Sequence, residues 1–333
     1  MKAVQFRQPG EPREVLEVVE RDKPVPGFGQ VLVRMLASPV NPSDLAFTRG
    51  GYGLKPQLPA TPGFEGVGVV ESTGGGPLAW LRKGKRVAVI NDRTGNWQEY
   101  VVVAARQVVP VPSGFTDAQA ATFFVNPATA YVMTQKVLKL QRGEWLLQSA
   151  AGSALGLMVI RLAKKYGFRT INVVRAPHAI DALKKAGADE VICTESESIV
   201  DRVMAITNGA GVRCAIDPVG GETGTRVVAA TGIHGHTLLF GMLSGQPVTV
   251  DPRGMISGAK RVEGFWLSDW AKQQSVFGML GLFRQVRKLV ADGTLDTEVA
   301  ATYPLDKVHE AVEHAERNAR GGKVLLRIDG ERK

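Results

Sequence analysis

Residues 145–175 read WLLQSAAGSALGLMVIRLAKKYGFRTINVVR, and the order of side-chain types along this stretch decides the fold. Trp145 to Ser149 form a short apolar run typical of a buried strand, and residues 150–156 form a turn made mainly of small residues. Leu157 to Tyr166 carry apolar side chains at helical spacing, and Thr170 to Arg175 form a second strand. The stretch therefore predicts the strand–turn–helix–strand unit of a parallel α/β sheet.

The turn is typical of a site that binds the pyrophosphate of a dinucleotide. Free backbone N–H groups and the positive end of a helix dipole hold such a phosphate, and small side chains let the backbone approach it. Of the G-x-G-x-x-G pattern only Gly156 is kept, because Ala151 and Ser153 occupy the positions of the first two glycines. The turn alone therefore does not identify the cofactor.

The second strand ends on Arg175, about twenty residues beyond the turn, where a site for NAD has an acidic residue that binds the ribose hydroxyls. A guanidinium forms charge-assisted bonds to a 2′-phosphate, which a carboxylate would repel. A surface arginine that merely ends a strand is the alternative interpretation of Arg175. Together with the turn, the cation predicts that the cofactor is NADPH.

The size and composition of the chain are those of an ordinary globular protein. Its 333 residues predict two domains. No apolar run is long enough to span a bilayer, and the start, Met1 to Phe6, reads as a strand without a cationic leader, so we expect a cytoplasmic protein with no membrane partner. Cys193 and Cys214 lie in apolar, strand-like segments and are expected to be core thiols.

The formal net charge of +9 is spread over both halves of the chain. Such a charge increases solubility and attracts anions such as coenzyme A thioesters, acyl carrier proteins or NADPH, but it also attracts nucleic acid nonspecifically. Charge alone therefore does not identify the partner. No basic stripe interleaved with aromatic residues is present, so no specific nucleic-acid partner is expected.

The strand and helix patterns divide the chain into two domains. The first hundred residues are rich in glycine and proline and alternate short strands with turns, which predicts a β-rich, barrel-like module. From Trp145 onward strands and helices alternate, which predicts a doubly wound parallel sheet. The tail is expected to return to the first module. We therefore predict an α/β protein with a β-rich domain of residues 1–122 and 276–333 and a Rossmann domain of residues 123–275.

Several short motifs accompany this arrangement. They are Asn41-Pro42-Ser43-Asp44, Gly51-Tyr52-Gly53 with Leu58-Pro59-Ala60, Gly63-Phe64-Glu65-Gly66-Val67-Gly68, Asn126-Pro127-Ala128-Thr129-Ala130-Tyr131, the strand Arg169 to Arg175, and Phe265-Trp266-Leu267-Ser268-Asp269-Trp270. Over nearly its whole length the chain resembles the medium-chain dehydrogenase/reductase superfamily, in which a GroES-like β-rich lobe is interrupted by a Rossmann domain. It is most similar to the 2-enoyl thioester reductases of fatty acid synthesis. The resemblance implies a homodimer joined through the edges of the Rossmann sheets.

The residues at the metal-binding positions of this superfamily favour a zinc-independent member. Zinc-dependent members commonly have Gly-His-Glu where this chain has Gly63-Phe64-Glu65, and Ser38 stands near the position of a ligand cysteine. His234 and His236 form the other candidate, but two imidazoles without a nearby carboxylate or thiol are usually loop residues. No metal site is therefore expected, and protein hydrogen-bond donors must assist hydride transfer.

Tyr52 matches the catalytic tyrosine of the enoyl thioester reductases. Reduction of a trans-2-enoyl thioester places a hydride on the β-carbon, moves negative charge to the thioester oxygen, and then requires a proton at the α-carbon. A phenol can donate to the oxyanion or relay the proton while it stays neutral at pH 7. A loop tyrosine that only packs its ring on a neighbour is the alternative interpretation.

The resemblance also implies the other site residues. Trp266 lines the substrate cleft, although it is also typical of an apolar anchor, and Lys323 reaches the cofactor, although a solvated lysine is the alternative. The residues implied to contact the cofactor, in chain order, are Asn126, Gly152, Ser153, Ala154, Leu155, Arg175, Phe240, Gly241, Met242, Leu243, Phe265, Trp266, Leu267, Ser268 and Lys323.

Three functions are compatible with these features. The first is NADPH-dependent reduction of the 2,3 double bond of a trans-2-enoyl thioester, free or carried on a protein. The second is a zinc-independent quinone or enone reductase, which uses the same cofactor domain on a different acceptor. The third is a nonenzymatic NADPH- or RNA-binding protein that has kept the fold, because fold does not fix function.

Overall fold

The computed structural model describes residues 1–91, 93–317 and 321–328. The chain divides into two compact units, of which the first comprises Met1–Val125 and Thr297–Lys333 and the second comprises Asn126–Asp296. We call the first the β-rich unit and the second the nucleotide unit.

The amino-terminal part of the β-rich unit contains short strands joined by turns and small helices. Its strands are β1 (Lys2–Gln5), β2 (Glu17–Glu20), β3 (Gln30–Pro39), β4 (Glu65–Thr73), β5 (Arg86–Ile90), β6 (Tyr100–Ala104) and β7 (Val108–Pro110). Its helices are α1 (Pro12–Val15), α2 (Pro42–Thr48), α3 (Pro77–Arg82) and α4 (Asp117–Ala121). In β6 buried and half-buried side chains alternate, as expected for a strand with one face on the core.

The nucleotide unit alternates strands with helices, as the sequence predicts. After α5 (Val125–Tyr131), which continues as a π-helix to Val137, its strands are β8 (Trp145–Gln148), β9 (Arg169–Val174), β10 (Glu190–Cys193), β11 (Val212–Asp217), β12 (Thr231–Leu239) and β13 (Arg261–Gly264). Its further helices are α6 (Ala154–Tyr166), α7 (Ile180–Ala186), α8 (Ile199–Ile206), α9 (Gly221–Ala229), α10 (Pro252–Ser257), α11 (Leu267–Lys272) and α12 (Val276–Ala291).

The six strands of the nucleotide unit form one sheet in the order β10-β9-β8-β11-β12-β13. All neighbouring pairs are parallel. This is the doubly wound order in which the strand sequence reverses between β8 and β11, so the predicted fold class is confirmed. The sequence pattern does not predict the edge strand β13, because its side chains are exposed or half-buried and give no apolar run.

The carboxyl-terminal tail returns to the β-rich unit, as the sequence predicts, and adds β14 (Val299–Pro304), α13 (Val308–Glu316) and β15 (Lys323–Arg327). The larger sheet then has the order β14-β15-β3-β4-β5-β7, with β6 paired to β3. Most pairs are antiparallel, but β14 and β15 are parallel. The close approach of β3 and β4 requires glycine at Gly68, where a Cβ atom would lie 2.5 Å from the Arg34 carbonyl oxygen.

The predicted domain boundary at residue 276 differs from the division in the structure, which lies at residue 297. Helix α12 belongs to the nucleotide unit because it buries an apolar face and because its end is bonded to α6. The Arg161 guanidinium donates to the Asp296 carbonyl oxygen at 2.6 Å, and Lys165 forms an ion pair with Asp292 at 2.5 Å. The other predicted boundary, at residues 122 and 123, lies three residues from the observed one.

Both cysteines are core thiols, as the sequence predicts. Cys193 and Cys214 are buried and unbridged, and burial raises the pKa of the Cys214 thiol to about 11. Within residues 1–91, 93–317 and 321–328, no helix combines the length and apolar character needed to cross a bilayer.

Candidate active site

The carboxyl edge of the parallel sheet begins with the turn between β8 and α6. Ala150 has a positive φ of 49°, and the Ala151 N–H donates to the Val173 carbonyl oxygen of the neighbouring strand at 3.2 Å. The Ser153 hydroxyl caps α6 by accepting from the Gly156 N–H at 3.1 Å. A Cβ atom at Gly156 would lie 2.3 Å from the Ala151 carbonyl oxygen, so only glycine fits there. The turn therefore brings the amino end of α6 to the sheet edge, with first-turn N–H groups that have no partner within the helix.

Arg175 directly follows β9 and lies at the same edge, because β8 and β9 are parallel neighbours with Gln148 opposite Asn172. Its side chain is exposed. The structure therefore brings together the predicted pyrophosphate turn and the predicted 2′-phosphate cation. Within this turn, Gly152 is exposed, Ser153 and Ala154 are half-buried, and Leu155 is buried.

The two predicted cofactor segments after β12 and β13 also lie at this carboxyl edge. The Phe240 N–H donates to the Asp217 carbonyl oxygen at 3.0 Å, and the Phe265 N–H donates to the Leu239 carbonyl oxygen at 2.8 Å. The segment after β12 is therefore hydrogen-bonded to the end of β11, and the segment after β13 is hydrogen-bonded to the end of β12. They comprise Phe240, Gly241, Met242 and Leu243 in one and Phe265, Trp266, Leu267 and Ser268 in the other.

Trp266 precedes α11 and is half-buried. The Lys272 ammonium lies 5.6 Å from the centroid of its ring. Partial burial fits both an apolar anchor and a side chain that lines a cleft, so the role of Trp266 stays a prediction. Asn126 lies in the first turn of α5 and Lys323 in β15, so the register of the parallel sheet does not place either of them at this edge.

Sequence reasoning missed a buried carboxylate at the end of β11. Asp217 accepts a hydrogen bond from the Ser149 hydroxyl and further bonds from the N–H groups of Val219 at 3.2 Å and Gly220 at 2.7 Å. Burial raises the pKa of Asp217, and these hydrogen bonds act in the opposite direction. The carboxylate therefore ties the turn after β8 to the turn after β11, at the point where the strand order reverses. The sequence feature that could have revealed this carboxylate is an acidic residue directly before Pro218.

A second missed feature is a pair of buried amides between β8 and β9. The Gln148 amide donates to the Asn172 side-chain oxygen at 2.7 Å and to the Gly156 carbonyl oxygen at 3.1 Å. The Asn172 amide donates in turn to the Thr170 hydroxyl at 2.9 Å. Because buried amides must be hydrogen-bonded, these contacts fix the first turn of α6 relative to the strands. The sequence feature that could have revealed this pair is the presence of an amide side chain in each of two otherwise apolar strand patterns.

In the β-rich unit, Tyr52 lies in the loop after α2 and is half-buried. Its ring is tilted by 33° against Phe64, with a centroid distance of 5.1 Å. Phe64 contacts Phe47 at 5.4 Å, and Phe47 contacts Phe6 at 5.6 Å. Tyr52 therefore ends a row of four aromatic rings that begins in the core. The packing interpretation of Tyr52 is observed, and the catalytic role of its hydroxyl stays a prediction.

Asp44 is completely buried, and it binds the main chain of Phe64, on which the Tyr52 ring packs. One oxygen of its carboxylate accepts from the Phe64 N–H at 2.9 Å, and the other accepts from the Asn41 N–H at 2.8 Å, at the start of α2. Asp44 thus joins the amino end of α2 to the residue on which the Tyr52 ring packs. Its side chain therefore acts on Tyr52 through Phe64.

Asn41 connects Asp44 to a second buried carboxylate and a buried ammonium. The Asn41 amide donates to Glu65 at 3.0 Å, and the Lys323 ammonium donates to the Asn41 side-chain oxygen. Glu65 also accepts from the Val125 N–H at 2.9 Å. Lys323 is only 1% exposed, so the interpretation of a solvated lysine is wrong. We call Asn41, Asp44, Glu65 and Lys323 the buried polar cluster.

The buried polar cluster predicts that the stability of the β-rich unit falls as the pH rises. Burial raises the pKa of Asp44 to about 7 and raises the pKa of Glu65, while Lys323 acts in the opposite direction on both. Between about pH 4, the ordinary aspartate pKa, and about pH 7, the folded protein binds a proton that the unfolded chain has lost. The free energy of unfolding therefore decreases over this range and levels off above it.

Urea unfolding at pH 5 and pH 8 tests this expectation, with Asp44→Asn as the matched variant. The asparagine does not titrate. The free energy of unfolding of the Asp44→Asn variant should therefore change less between pH 5 and pH 8 than that of the parent protein. Equal pH dependence in both proteins would show that the Asp44 carboxyl does not titrate in this range.

Two family models match the chain, one described as an alcohol dehydrogenase GroES-like domain over residues 27–113 and one as a zinc-binding dehydrogenase over residues 154–284. The mitochondrial enoyl-[acyl-carrier-protein] reductase of Bos taurus is 32% identical over 98% of this chain and 88% of its own length. The chain belongs to the medium-chain dehydrogenase/reductase family. It is accordingly an oxidoreductase.

Two solved structures that are similar to this chain each cover 98% of it. A Bacillus thuringiensis protein described provisionally as an NADPH:quinone reductase has a TM-score of 0.91 at 35% identity and covers 98% of this chain and 99% of its own. The Escherichia coli quinone oxidoreductase, solved in complex with NADPH, has a TM-score of 0.87 at 26% identity and covers 98% of this chain and 100% of its own.

One family model has zinc in its description, but Phe64 and Ser38, the described residues at two of the expected ligand positions, are not bound as metal ligands would be. Phe64 packs between two aromatic rings, and the buried Ser38 hydroxyl donates to the Glu65 carbonyl oxygen at 2.6 Å. The part of the chain that the structure describes contains no group of three or more His, Cys, Asp or Glu side chains that could hold a metal ion.

The expectation that His234 and His236 lack a nearby carboxylate is wrong. The His236 ring contacts the Glu263 carboxylate of the neighbouring strand at 3.0 Å, because β12 and β13 pair in parallel. Burial lowers the pKa of His236. One imidazole and one carboxylate remain too few ligands for a structural zinc ion, which takes four.

Proposed function

We propose that this medium-chain oxidoreductase uses NADPH to reduce the 2,3 double bond of trans-2-enoyl thioesters. The observation that carries the proposal is the Tyr52 phenol, held at the end of an aromatic row by the Asp44-bound Phe64. The similarity to an enoyl-[acyl-carrier-protein] reductase over 98% of the chain supports the thioester as substrate.

The carboxyl edge of the parallel sheet fits a dinucleotide phosphate. It offers the amino end of α6, a turn in which glycine is required, and the Arg175 guanidinium after the neighbouring strand. The first turn of α6 would hold the pyrophosphate, and Arg175 would hold the 2′-phosphate by charge-assisted hydrogen bonds. The similar E. coli protein was solved in complex with NADPH, which supports this choice. When bound, NADPH supplies the hydride.

Arg175→Ala is expected to raise the Kd for NADPH by about 10- to 100-fold and to leave the Kd for NADH unchanged. The expected loss corresponds to about 1.5–3 kcal/mol, as is usual for hydrogen bonds to a charged group. Arg169→Ala is the matched control, because Arg169 is an exposed arginine at the opposite end of the same strand, 4.0 Å from the Trp145 ring centroid. Fluorescence titration with both nucleotides measures the effect. Equal NADPH and NADH affinities in the parent protein would contradict the assignment.

In the proposed reaction Tyr52 supplies the proton. Hydride addition at the β-carbon moves negative charge to the thioester oxygen, and the Tyr52 hydroxyl donates to this oxygen or delivers the proton to the α-carbon. Trp266 contributes apolar surface for the substrate. Phe64 and Asp44 keep the phenol in position, so that little reorganisation is needed when charge develops.

A second candidate function is reduction of quinones or enones, favoured by the similarity to the E. coli quinone oxidoreductase at a TM-score of 0.87. The two functions share the cofactor and differ in the acceptor. A panel of crotonyl and longer enoyl thioesters, enones and quinones, each assayed with NADPH and NADH by absorbance, distinguishes them. Oxidation of NADPH by quinones without oxidation by any enoyl thioester would reject the first proposal and establish the second.

We propose that the reaction proceeds without zinc, because Phe64 stands where zinc-dependent members commonly have a histidine, and within the described residues no group of three or more His, Cys, Asp or Glu side chains could hold a metal ion. The protein is proposed to be a cytoplasmic homodimer joined through β13, the edge strand of the parallel sheet, without a specific nucleic-acid partner. Analytical ultracentrifugation and cell fractionation test the assembly and the location. A monomer, or recovery in the mitochondria named for the bovine relative, would overturn the corresponding proposal.

A further inference from the structure

Helix α12 has an unusual outward surface. It begins after Ser275, whose hydroxyl accepts from the Gly278 N–H at 3.1 Å, and it runs for 16 residues. Its inner face buries Leu282, Val286, Leu289 and Val290. At about 100° per residue, the exposed side chains between Val276 and Lys288 fall within one arc of about 140°. We call this surface the α12 outer face, and it comprises Val276, Phe277, Leu280, Gly281, Arg284, Arg287 and Lys288.

The first two turns of the α12 outer face are apolar. Val276, Phe277 and Leu280 are 73%, 85% and 54% exposed. The outward face of a surface helix is normally polar, because exposed apolar area is unfavourable in water, and contiguous apolar patches on a soluble protein mark interaction sites. A Cβ atom added at Gly281 would meet nothing within 4 Å, so the surface beside these side chains is open.

The next two turns of the same face are cationic. Arg284, Arg287 and Lys288 are exposed, and none of them forms an ion pair with another residue in the ranges that the structure describes. The face therefore combines an apolar half with a cationic half along about 20 Å of helix, at 1.5 Å per residue. An occupant that satisfies both halves has an apolar ridge and several carboxylates.

We infer that the α12 outer face docks an acidic helix of the carrier protein that bears the enoyl thioester. This inference rests on the proposed function. Charge complementarity favours this occupant, because the cations of this face attract carboxylates and accelerate association. A second copy of the chain is a poor fit, since the net charge is +9 and two such faces would bring their cations together. The apolar half holds the partner once it has been steered into contact.

The test compares two surfaces of similar composition. The docking variant carries Arg284→Glu, Arg287→Glu and Lys288→Glu, and a separate variant carries Phe277→Ser. The matched control carries Lys83→Glu, Lys85→Glu and Arg106→Glu, which are exposed cations of the β-rich unit near the exposed Trp80 and Leu81. Thermal unfolding verifies that each variant is folded.

The kinetic readout uses the same enoyl group on an acyl carrier protein and on coenzyme A. For the carrier-bound substrate, kcat/KM should fall at least about tenfold in the docking variant and in Phe277→Ser, and should change less than about twofold in the control. For the coenzyme A substrate, all variants should stay within about twofold of the parent. Equal losses on both substrates, or an equal loss in the control, would overturn the inference.

The binding readout does not depend on turnover. Biolayer interferometry with a phosphopantetheine-bearing acyl carrier protein, without an acyl group, should show binding to the parent that weakens with added salt and is lost in the docking variant. Unchanged binding in that variant overturns the inference. A membrane would be the occupant instead if two results came together. The parent would bind vesicles of phosphatidylcholine and phosphatidylglycerol and the docking variant would not, while both proteins bound the carrier protein equally well. That combination also overturns the inference. If no enoyl thioester is reduced but the carrier protein binds as expected, the proposed function fails and the docking surface stands.

Discussion

Tyr52→Phe is expected to lower kcat with enoyl thioesters by about 10²- to 10⁴-fold, the usual contribution of a positioned proton donor. The substitution removes only the hydroxyl. The phenylalanine ring keeps the tilted contact with Phe64 at 5.1 Å, so the aromatic row and the loop should stay in place. The Kd for NADPH should therefore be largely unaffected. Steady-state kinetics together with a nucleotide titration separates the two quantities.

Tyr303→Phe is the matched control for this experiment. Tyr303 also packs partly buried against the core of the β-rich unit, and its hydroxyl contacts the His314 ring at 3.0 Å. Loss of that hydroxyl should change kcat by less than about twofold. Undiminished turnover in Tyr52→Phe would remove Tyr52 from the mechanism. A similar loss in both variants would indicate a general effect on folding of the unit.

Lys323→Met is expected to lower the free energy of unfolding by about 3–5 kcal/mol, the usual cost of leaving a buried charge uncompensated. The substitution leaves the carboxylates of Asp44 and Glu65 buried without the ammonium and leaves the Asn41 side-chain oxygen without this donor. Without the cation, both carboxyls become easier to protonate. The loss should therefore be larger at pH 9 than at pH 5.

Urea unfolding measures this loss, and two further variants test whether it comes from the buried charge of Lys323. Lys307→Met removes an exposed lysine that pairs with Glu310 at 3.0 Å, and should cost less than about 1 kcal/mol. The double variant Lys323→Met with Glu65→Gln should recover a large part of the loss, because it removes one of the two uncompensated charges. A loss below about 1 kcal/mol in Lys323→Met would mean that the carboxyls are protonated and that the cluster does not depend on the ammonium. The predicted contact of Lys323 with the cofactor stays a separate prediction.

Much of the nucleotide unit could be predicted from the sequence, because its signals are local. The small-residue turn, Gly156 and the cation at the end of β9 lie within one strand–helix–strand unit, and hydrogen bonds inside that unit, such as the one from Gln148 to Asn172, fix its geometry. The segments after β12 and β13 followed from the family resemblance. The sequence patterns place helix α12 in the wrong unit because its bonds to α6 join residues more than a hundred positions apart, such as Lys165 and Asp292.

The polar contacts of the β-rich unit were less predictable. Asp44 and Glu65 were visible as acidic residues, but their protonation depends on burial and on partners that the local sequence does not reveal. The Phe64 N–H that binds Asp44 lies 20 residues away. The Tyr52 loop could be recognised by resemblance, whereas its position at the end of an aromatic row follows from packing of residues in three separate segments.

The sequence by itself determined the α/β class, the two-part organisation, the small-residue turn before α6 and the membership of the medium-chain dehydrogenase/reductase family, because these depend on periodicity, small residues and motifs that neighbouring residues define. Only the tertiary structure decided that Lys323 is buried and bonded to Asn41, which lies 282 residues earlier. It also decided that the exposed side chains of α12 form one apolar and cationic face. Burial and charge pairing depend on which distant segments pack together, and no local pattern records that.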